Sequence, residues 1–316
     1  MILSASRRTD IPNYYSDWFF NRLQEGFLFV RNPYNPHQIS RIDLSPETVD
    51  CIVFWTKNPE PILGRLEELE GYPYYFQFTL TGYGKDIEPN VPHKKEKMLS
   101  VFRELSGRIG SRRVIWRYDP ILFTKKYSTD YHLRAFEQIA GALKGYTHKC
   151  VISFVDFYSC SQNRMKAIEA CEIPEEERMK FAGELVRIAA GNGMQVAGCA
   201  EKTDLTGAGI VPNRCIDPVL IEEILGCKIQ VPKDKNQRDV CGCVESVEIG
   251  TYDTCQNGCL YCYASHSRER LLQNIRCYDS CSPLLCGKVT EEDRVSVRKV
   301  SSIRETQLSL SLPQNI

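Results

Sequence analysis

The sequence of 316 residues has no long apolar run and no excess of charge of either sign. No apolar stretch approaches the roughly 20 residues that a membrane-spanning helix needs, so we expect no membrane partner. Lysine plus arginine and aspartate plus glutamate number 40 each, which removes any global electrostatic case for nucleic-acid binding. The first eight residues lack a basic segment ahead of an apolar core, so we expect no secretory signal.

Cysteine, by contrast, is abundant, with 15 residues in the chain. Without a secretory signal, this usage predicts a cytoplasmic protein whose thiols stay reduced. Cys51 and Cys150 lie in apolar strand-like runs and are expected to be buried packing residues. Eleven others crowd the last third of the chain: Cys199, Cys215, Cys227, Cys241, Cys243, Cys255, Cys259, Cys262, Cys277, Cys281 and Cys286. The odd total and this clustering favour metal ligation over a disulfide framework.

Short apolar strands alternate with amphipathic helices over residues 1–198. The predicted strands are 2–6, 51–55, 74–80, 113–117, 150–155 and 194–198. Because these strands are apolar almost throughout, both faces of the sheet should be covered, as in a parallel sheet. The serial repetition predicts an α/β fold, a partial or full (βα) barrel. Residues 27–42 predict a β-hairpin whose turn contains Asn32-Pro33 and Asn35-Pro36.

Polar side chains follow one predicted strand after another. They are Arg8, Asp10, Lys57, Thr79, Thr81, Arg117, Asp119, Asp156 and Glu201. In βα barrels the site forms where the strands end and the loops begin. We therefore expect these side chains to converge at one end of the barrel.

Three thiols stand at CxxxCxxC spacing in Cys255-Gln-Asn-Gly-Cys259-Leu-Tyr-Cys262, a segment called here the cluster loop. Gly258 permits a tight turn, so the sulfurs can converge. Thiolates select zinc, copper(I) or iron–sulfur clusters. Three ligands leave one iron of a [4Fe–4S] cluster open for a substrate or cofactor. The alternative is a zinc knuckle, with its fourth ligand drawn from Cys243, His266 or Cys281.

The cluster loop, with Tyr261 just before its last cysteine, resembles the signature of the radical S-adenosylmethionine (radical SAM) enzymes. The strand-end motifs resemble the spore photoproduct lyase-like branch: Thr9-Asp10, Thr56-Lys57-Asn58-Pro59, Thr79-Leu80-Thr81, Glu88-Pro89-Asn90-Val91-Pro92 and Arg117-Tyr118-Asp119-Pro120-Ile121. In such enzymes the open iron binds the amino and carboxylate groups of the methionine. An electron from the cluster then yields a 5′-deoxyadenosyl radical.

The order of these motifs departs from that branch, because the cluster loop comes last instead of first. This departure predicts a circularly permuted barrel, in which strand 244–250 lies beside strand 2–6. We predict one integrated domain: residues 1–198 form the barrel strands and helices, 199–243 a Cys-rich insert, and 244–316 the permuted first strand, the cluster loop and a tail. The Ser-x-Ser-Arg-Arg-Thr-Asp-Ile-Pro opening and the Cys-Gly-Cys before the loop also resemble a bacterial family of unknown function.

The radical SAM resemblance implies roles for individual residues. Cys255, Cys259 and Cys262 would ligate the cluster. Thr9 and Asp10 would approach the amino group of S-adenosylmethionine, and Thr79, Thr81 and Arg117 would reach its ribose and carboxylate. Lys57 would contact either the cofactor or the substrate. Tyr261 would pack near the adenine. A candidate second site, for another iron–sulfur cluster or zinc, comprises Cys199, Cys215, Cys241 and Cys243, which could instead be merely buried.

Two functions are consistent with this sequence. The first is a radical SAM enzyme that acts on an unknown small molecule, nucleobase or peptide, with flavodoxin or ferredoxin as electron donor. The second is a binding module stabilised by zinc or an inert iron–sulfur cluster, with the Arg-rich segments 7–8, 31–41 and 268–304 contacting nucleic acid. The strand-end polar groups favour the enzyme, because a structural metal site does not need them.

Overall fold

A computed structural model describes residues 1–305, apart from the side chain of Lys95. The strands in chain order are β1 (Ile2–Ala5), β2 (Phe27–Arg31), β3 (Gln38–Asp43), β4 (Cys51–Thr56), β5 (Tyr74–Thr79), β6 (Val114–Ile121), β7 (Lys149–Phe154), β8 (Gln195–Gly198), β9 (Val211–Pro212), β10 (Val247–Glu248) and β11 (Arg294–Val297). The predicted tail extends into residues 306–316, which lie outside the described range.

Helices follow most of the strands, as the alternating pattern predicted. They are α1 (Ile11–Tyr14), α2 (Ser16–Glu25), α3 (Glu60–Leu63), α4 (Leu99–Ile109), α5 (Thr129–Leu143), α6 (Gln162–Ala167), α7 (Glu175–Gly191), α8 (Pro218–Leu225) and α9 (Arg268–Arg276). Side-chain caps define several of their starts: Ser128 accepts a hydrogen bond from the Tyr131 amide, and Ser267 from the Arg270 amide. Such caps satisfy amides that have no partner inside the helix.

The main sheet has eight strands in the order β10-β1-β4-β5-β6-β7-β8-β9, and all its neighbouring pairs are parallel. The predicted α/β class is therefore confirmed. Strands β9 and β10 stand at opposite edges of this order, so the described residues form an open sheet, consistent with a partial barrel. The full-barrel alternative is not formed by residues 1–305.

The last strand of this sheet in sequence lies beside the first. Leu3 of β1 pairs with Val247 of β10, and Ser4 pairs with Glu248. The other edge of β1 pairs with β4. Strand β1 is thus an interior strand of the sheet, and one of its two partners comes from the last third of the chain. The neighbour that the sequence predicted for strand 2–6 is the one observed.

Successive strand residues belong to two different cores. Ile52 and Phe54 of β4 belong to the larger core, with Phe102 of α4 and Phe136 of α5. Val53 belongs to the second core. That core also contains residues of the neighbouring strands and of the insert: Tyr75, Ile115, Val151, Cys215, Ile216 and Ile221. Because side chains alternate between the two faces of a strand, an apolar run implies that both faces are covered. Part of the Cys-rich insert covers the second face.

A smaller sheet contains the predicted hairpin. Strands β2 and β3 pair antiparallel, from Phe27↔Asp43 to Arg31↔Ile39, and β11 pairs with β3 in parallel.

The N-terminus contacts a late segment of the chain. The Met1 ammonium contacts the Asp50 carboxylate at 2.5 Å and the Ser301 carbonyl at 3.0 Å. The C-terminal part of the described chain is therefore packed against the N-terminus. No helix within residues 1–305 is both long and apolar enough to span a bilayer.

Candidate functional site

A cavity of about 470 Å³ opens at the carboxyl ends of strands β1, β4, β5, β6 and β7, and we call it the strand-end cavity. Of the strand-end polar groups, Glu201 lies outside it, in the wall of another cavity. All but one of the residues predicted to bind a cofactor or a metal line it: Thr9, Asp10, Lys57, Thr79, Arg117, Cys199, Cys215, Cys241, Cys243, Cys255, Cys259, Tyr261 and Cys262. The exception is Thr81. Residues from distant parts of the sequence are therefore gathered at one end of the sheet, where parallel α/β proteins place their sites.

Thr81 lies outside the strand-end cavity, in the wall of a neighbouring cavity of about 780 Å³. Its hydroxyl donates to Glu88 Oε2 at 2.9 Å. Strand β5 ends at Thr79, so the two-residue alternation that would give Thr79 and Thr81 the same face no longer applies at residue 81. The structure thus places Thr81 among the groups that bind Glu88, away from its predicted position at a cofactor ribose.

Asn257 fixes the cluster loop to the ends of the barrel strands. Its Nδ2 donates to Asp10 Oδ2 at 2.9 Å, and its Oδ1 accepts from the Tyr14 hydroxyl at 3.0 Å. Asp10 Oδ2 also accepts from the Lys57 amide at 2.8 Å. Burial raises the pKa of Asp10, although these hydrogen bonds oppose the increase. Asp10 therefore holds the loop in place, whereas the sequence reasoning had overlooked Asn257 despite its position between two cysteines.

Gly258 forms the tight turn that the sequence predicted. Its φ is +70°, and a Cβ atom there would lie 3.0 Å from Pro89 Cγ. The amide of Asn90 donates to the Asn257 carbonyl at 3.3 Å, and the Leu260 amide donates to the Ile87 carbonyl at 3.0 Å. The cluster loop thus packs directly on segment 87–90, and both the left-handed conformation and the close approach favour glycine.

Glu88 lies behind the cluster loop and is almost fully buried. Its Oε1 accepts from Lys57 Nζ at 2.7 Å and from the Tyr261 hydroxyl. Its Oε2 binds Lys94 Nζ and the Thr81 hydroxyl. The Tyr261 hydroxyl, which the resemblance placed near an adenine, thus anchors the loop to Glu88, while Tyr261 still lines the strand-end cavity.

One carboxylate faces two ammonium groups in this buried cluster. Burial opposes the charge of Glu88, but Lys57 and Lys94 hold its pKa well below the ordinary value. Burial also opposes the charge of Lys57, yet Glu88 raises the pKa of Lys57. For Lys94, burial and the Lys57 charge outweigh Glu88 and lower the pKa. Burial raises the pKa of the nearby Cys259 thiol to about 12, and the positive charge of Lys57 opposes that increase.

Replacing Glu88 with alanine is expected to lower the free energy of unfolding by about 4 kcal/mol, because two largely buried ammonium groups lose their counter-ion. The exposed Glu60–Lys97 pair provides a matched control. Its loss in Glu60→Ala should cost at most about 1 kcal/mol. Urea unfolding of the two variants measures both values, and equal losses would contradict the assigned role of Glu88.

Arg117 lines the strand-end cavity with its guanidinium already engaged. Its Nε donates to Asp119 Oδ2 at 3.0 Å, and its Nη1 donates to Cys215 Sγ at 2.9 Å and to Gln77 at 3.3 Å. Burial opposes the charge, but Asp119 and the cysteines raise the pKa of Arg117 above its ordinary value. A cofactor carboxylate would have to share this guanidinium with Asp119.

Two other donors on the cavity wall have no partner. Within residues 1–305, neither the Thr9 hydroxyl nor Arg7 Nη2 has a hydrogen-bond acceptor, and both atoms are buried. An unsatisfied buried donor is costly, typically by about 1–3 kcal/mol. Thr9 was predicted as a ligand-binding residue, whereas Arg7 had not been assigned to the site. These two donors are suited to a ligand with acceptor oxygens.

Four further thiols also line the cavity: Cys199, Cys215, Cys241 and Cys243. Cys199 Sγ and Cys215 Sγ are 3.3 Å apart. Cys243 is close enough to Cys215 and to Cys241 for hydrogen bonding between the thiols to affect their pKa values. Hydrogen bonding from Cys243 lowers the pKa of Cys241 to about 7. All 15 cysteines are free thiols in this structure.

The described residues contain no group of three or more His, Cys, Asp or Glu side chains arranged around a single metal ion. Sulfurs bound to one zinc lie about 4 Å apart, since each Zn–S bond is about 2.3 Å long. A [4Fe–4S] cluster sets its ligand sulfurs farther apart, because iron and sulfide lie between them. Cys255, Cys259 and Cys262 all line one cavity together with Thr9, so this donor set is compatible with a cluster.

Comparison with known proteins adds a family but no activity. None of the curated proteins matches this chain. A family model described as a domain of unknown function, DUF1848, matches residues 2–264. The match includes β1, every strand of the main sheet and the whole cluster loop. The chain belongs to this family of unknown function, DUF1848.

Proposed function

We propose that this protein is a radical SAM enzyme that binds a [4Fe–4S] cluster through Cys255, Cys259 and Cys262. The observation that carries the proposal is the common cavity that these thiols share with Thr9, Lys57, Thr79 and Arg117 from the ends of successive strands. When bound, the cluster would supply the electron that cleaves S-adenosylmethionine to methionine and a 5′-deoxyadenosyl radical.

The protein's own residues would hold and orient this chemistry. Asn257 and Asp10 fix the cluster loop to the strand ends, and Glu88 fixes it from behind through Tyr261. Lys57 places a positive charge near Cys259, which offsets part of the cost that burial imposes on the thiolate form that a metal requires.

The cavity also offers groups that match S-adenosylmethionine. The unpaired Thr9 hydroxyl and Arg7 Nη2 would donate to its carboxylate or ribose oxygens. Arg117 and Thr79 would contact the same cofactor from β6 and β5. The proposal includes the permutation, with β10 in the position of the first barrel strand beside β1. It also includes a one-electron donor such as flavodoxin or ferredoxin, and a substrate that is a small molecule, nucleobase or peptide.

Reductive cleavage of the cofactor tests this function without knowledge of the substrate. The chain is reconstituted with iron and sulfide in the absence of oxygen and is incubated with dithionite and S-adenosylmethionine. We expect 5′-deoxyadenosine and methionine, measured by mass spectrometry, because uncoupled cleavage does not need a substrate. Cys259→Ser should give none, whereas Cys281→Ser, at an exposed position, should cleave normally.

Two outcomes would argue against the proposal. Absence of 5′-deoxyadenosine from fully reconstituted protein would exclude radical chemistry with this cofactor. Purified protein that holds one zinc ion per chain and takes up no iron would support the metal-stabilised binding module. In that case, nucleic-acid binding through the Arg-rich segments would be the next measurement.

A further inference from the structure

Four thiols from three separate segments form a continuous row on the wall of the strand-end cavity. Cys199 follows β8, Cys215 follows β9, and Cys241 and Cys243 precede β10. The Sγ atoms of Cys199 and Cys215 are 3.3 Å apart. The amide of Ile216, the residue after Cys215, donates to Cys243 Sγ at 3.4 Å, so Cys243 lies next to Cys215, and Cys241 precedes Cys243 by two residues. Each thiol thus has another within reach, so a disulfide could pass along the row by local exchange.

The inner pair is arranged for sulfur–sulfur chemistry. A disulfide bond is about 2.05 Å long, so Cys199 and Cys215 need only a small approach to form one. Cys215 Sγ accepts hydrogen bonds from Arg117 Nη1 at 2.9 Å and from Asn213 Nδ2 at 3.0 Å. Both donors would contact the negative charge that appears on Cys215 Sγ when it leaves as a thiolate in thiol–disulfide exchange.

The distance between these two sulfurs is also shorter than the distance between two sulfur ligands of one zinc ion. Two sulfurs on a tetrahedral zinc stand about 4 Å apart, whereas Cys199 and Cys215 are already in direct contact at 3.3 Å. The outer end of the row lies next to segment 235–240, most of which is exposed. A small reductant could therefore reach Cys241 from the rim of the cavity.

We propose that Cys199 and Cys215 form a redox-active dithiol on the wall of the strand-end cavity. Cys243 and Cys241 connect it, by thiol–disulfide exchange, to a dithiol reductant in solution. The row carries reducing equivalents into the cavity, in addition to any electron that enters through a cluster. This role does not depend on the proposed radical chemistry, because the four thiols are separate from the cluster loop.

The exchange conserves atoms and electrons at every step. The Cys243 thiolate attacks Cys215 Sγ of an oxidised inner pair, which forms the Cys215–Cys243 disulfide and releases the Cys199 thiolate. The Cys241 thiolate then attacks Cys243 Sγ, forms the Cys241–Cys243 disulfide and releases the Cys215 thiolate. The external dithiol reduces Cys241–Cys243 and becomes a disulfide itself. Two electrons and two protons thereby move from that dithiol to Cys199 and Cys215.

A disulfide map of the full chain tests the inner pair. The protein is equilibrated without oxygen in mixtures of oxidised and reduced dithiothreitol, its thiols are trapped with iodoacetamide, and peptides are mapped by mass spectrometry. We expect Cys199–Cys215 to form reversibly, while the buried core thiols Cys51 and Cys150 stay reduced. An inner pair that stays reduced in every mixture would overturn the proposal. Retention of iron or zinc by these four thiols would also overturn it.

A single substitution tests the connection to solvent. Cys241→Ser removes the thiol that resolves the Cys215–Cys243 intermediate, so while oxidised protein is being reduced by dithiothreitol and trapped at intervals, this disulfide should accumulate to a level about tenfold above that of the wild type. Cys277→Ser, at an exposed cysteine outside the row, should give the wild-type map. A Cys241→Ser protein without the Cys215–Cys243 disulfide would show that the inner pair exchanges with solvent directly, which would overturn the relay.

Discussion

Replacing Cys255, Cys259 and Cys262 together with alanine is expected to remove about four irons per chain from protein reconstituted without oxygen. The wild-type protein should be brown, with broad absorption near ~400 nm from thiolate-to-iron charge transfer, and the triple variant should be colourless. The reason is local: all three thiols line one cavity on a loop that Asn257 holds to the strand ends. Iron analysis and absorption spectra measure the effect.

A matched triple variant separates this loop from cysteine content in general. Cys171, Cys277 and Cys281 are exposed, and their joint replacement with alanine should leave both colour and iron unchanged. Loss of metal from this control would point to Cys281 as a ligand, as in the zinc-knuckle alternative. A wild-type protein that stays colourless after reconstitution and holds one zinc would contradict the cluster.

Truncation after residue 240 is expected to give insoluble protein. It removes β10, which leaves one edge of β1 unpaired, and an unpaired strand edge promotes aggregation. It also removes the acceptors of two deeply buried donors: the Tyr15 hydroxyl bonds the Thr254 carbonyl at 2.6 Å, and Trp18 Nε1 bonds the Ser282 carbonyl at 2.9 Å. The loss of these contacts should prevent cooperative folding. Expression followed by sedimentation measures the outcome.

Truncation after residue 305 is the control for this experiment. That variant keeps every contact described above, so it should be soluble and unfold cooperatively. A soluble 1–240 fragment with a cooperative unfolding transition would show instead that the cysteine-rich end is an appended module. The two truncations therefore decide between one integrated domain and two separable parts.

Much of this protein could be predicted from the sequence alone. The apolar strands, such as Cys51–Thr56, predict a sheet that is covered on both faces. Successive side chains of a strand point to opposite faces, so a strand that is apolar throughout has no polar face to expose to water. Polar residues directly after these strands must lie at one end of a parallel sheet. For that reason Asp10, Lys57 and Arg117 could be grouped before their contacts were known.

Only the tertiary structure decided which groups pair with one another at that end. Tyr261 and Lys94 both bind Glu88, Arg117 binds Asp119, and Thr81 lies outside the cavity. These pairings depend on how the loops pack against one another. The alternation of side-chain direction applies only within a strand, so it cannot predict which loop residues meet. The contact between Cys199 and Cys215 likewise arises because the Cys-rich insert packs on the second face of the main sheet. Sequence patterns thus determined which end of the fold carries the site, and loop packing determined its chemistry.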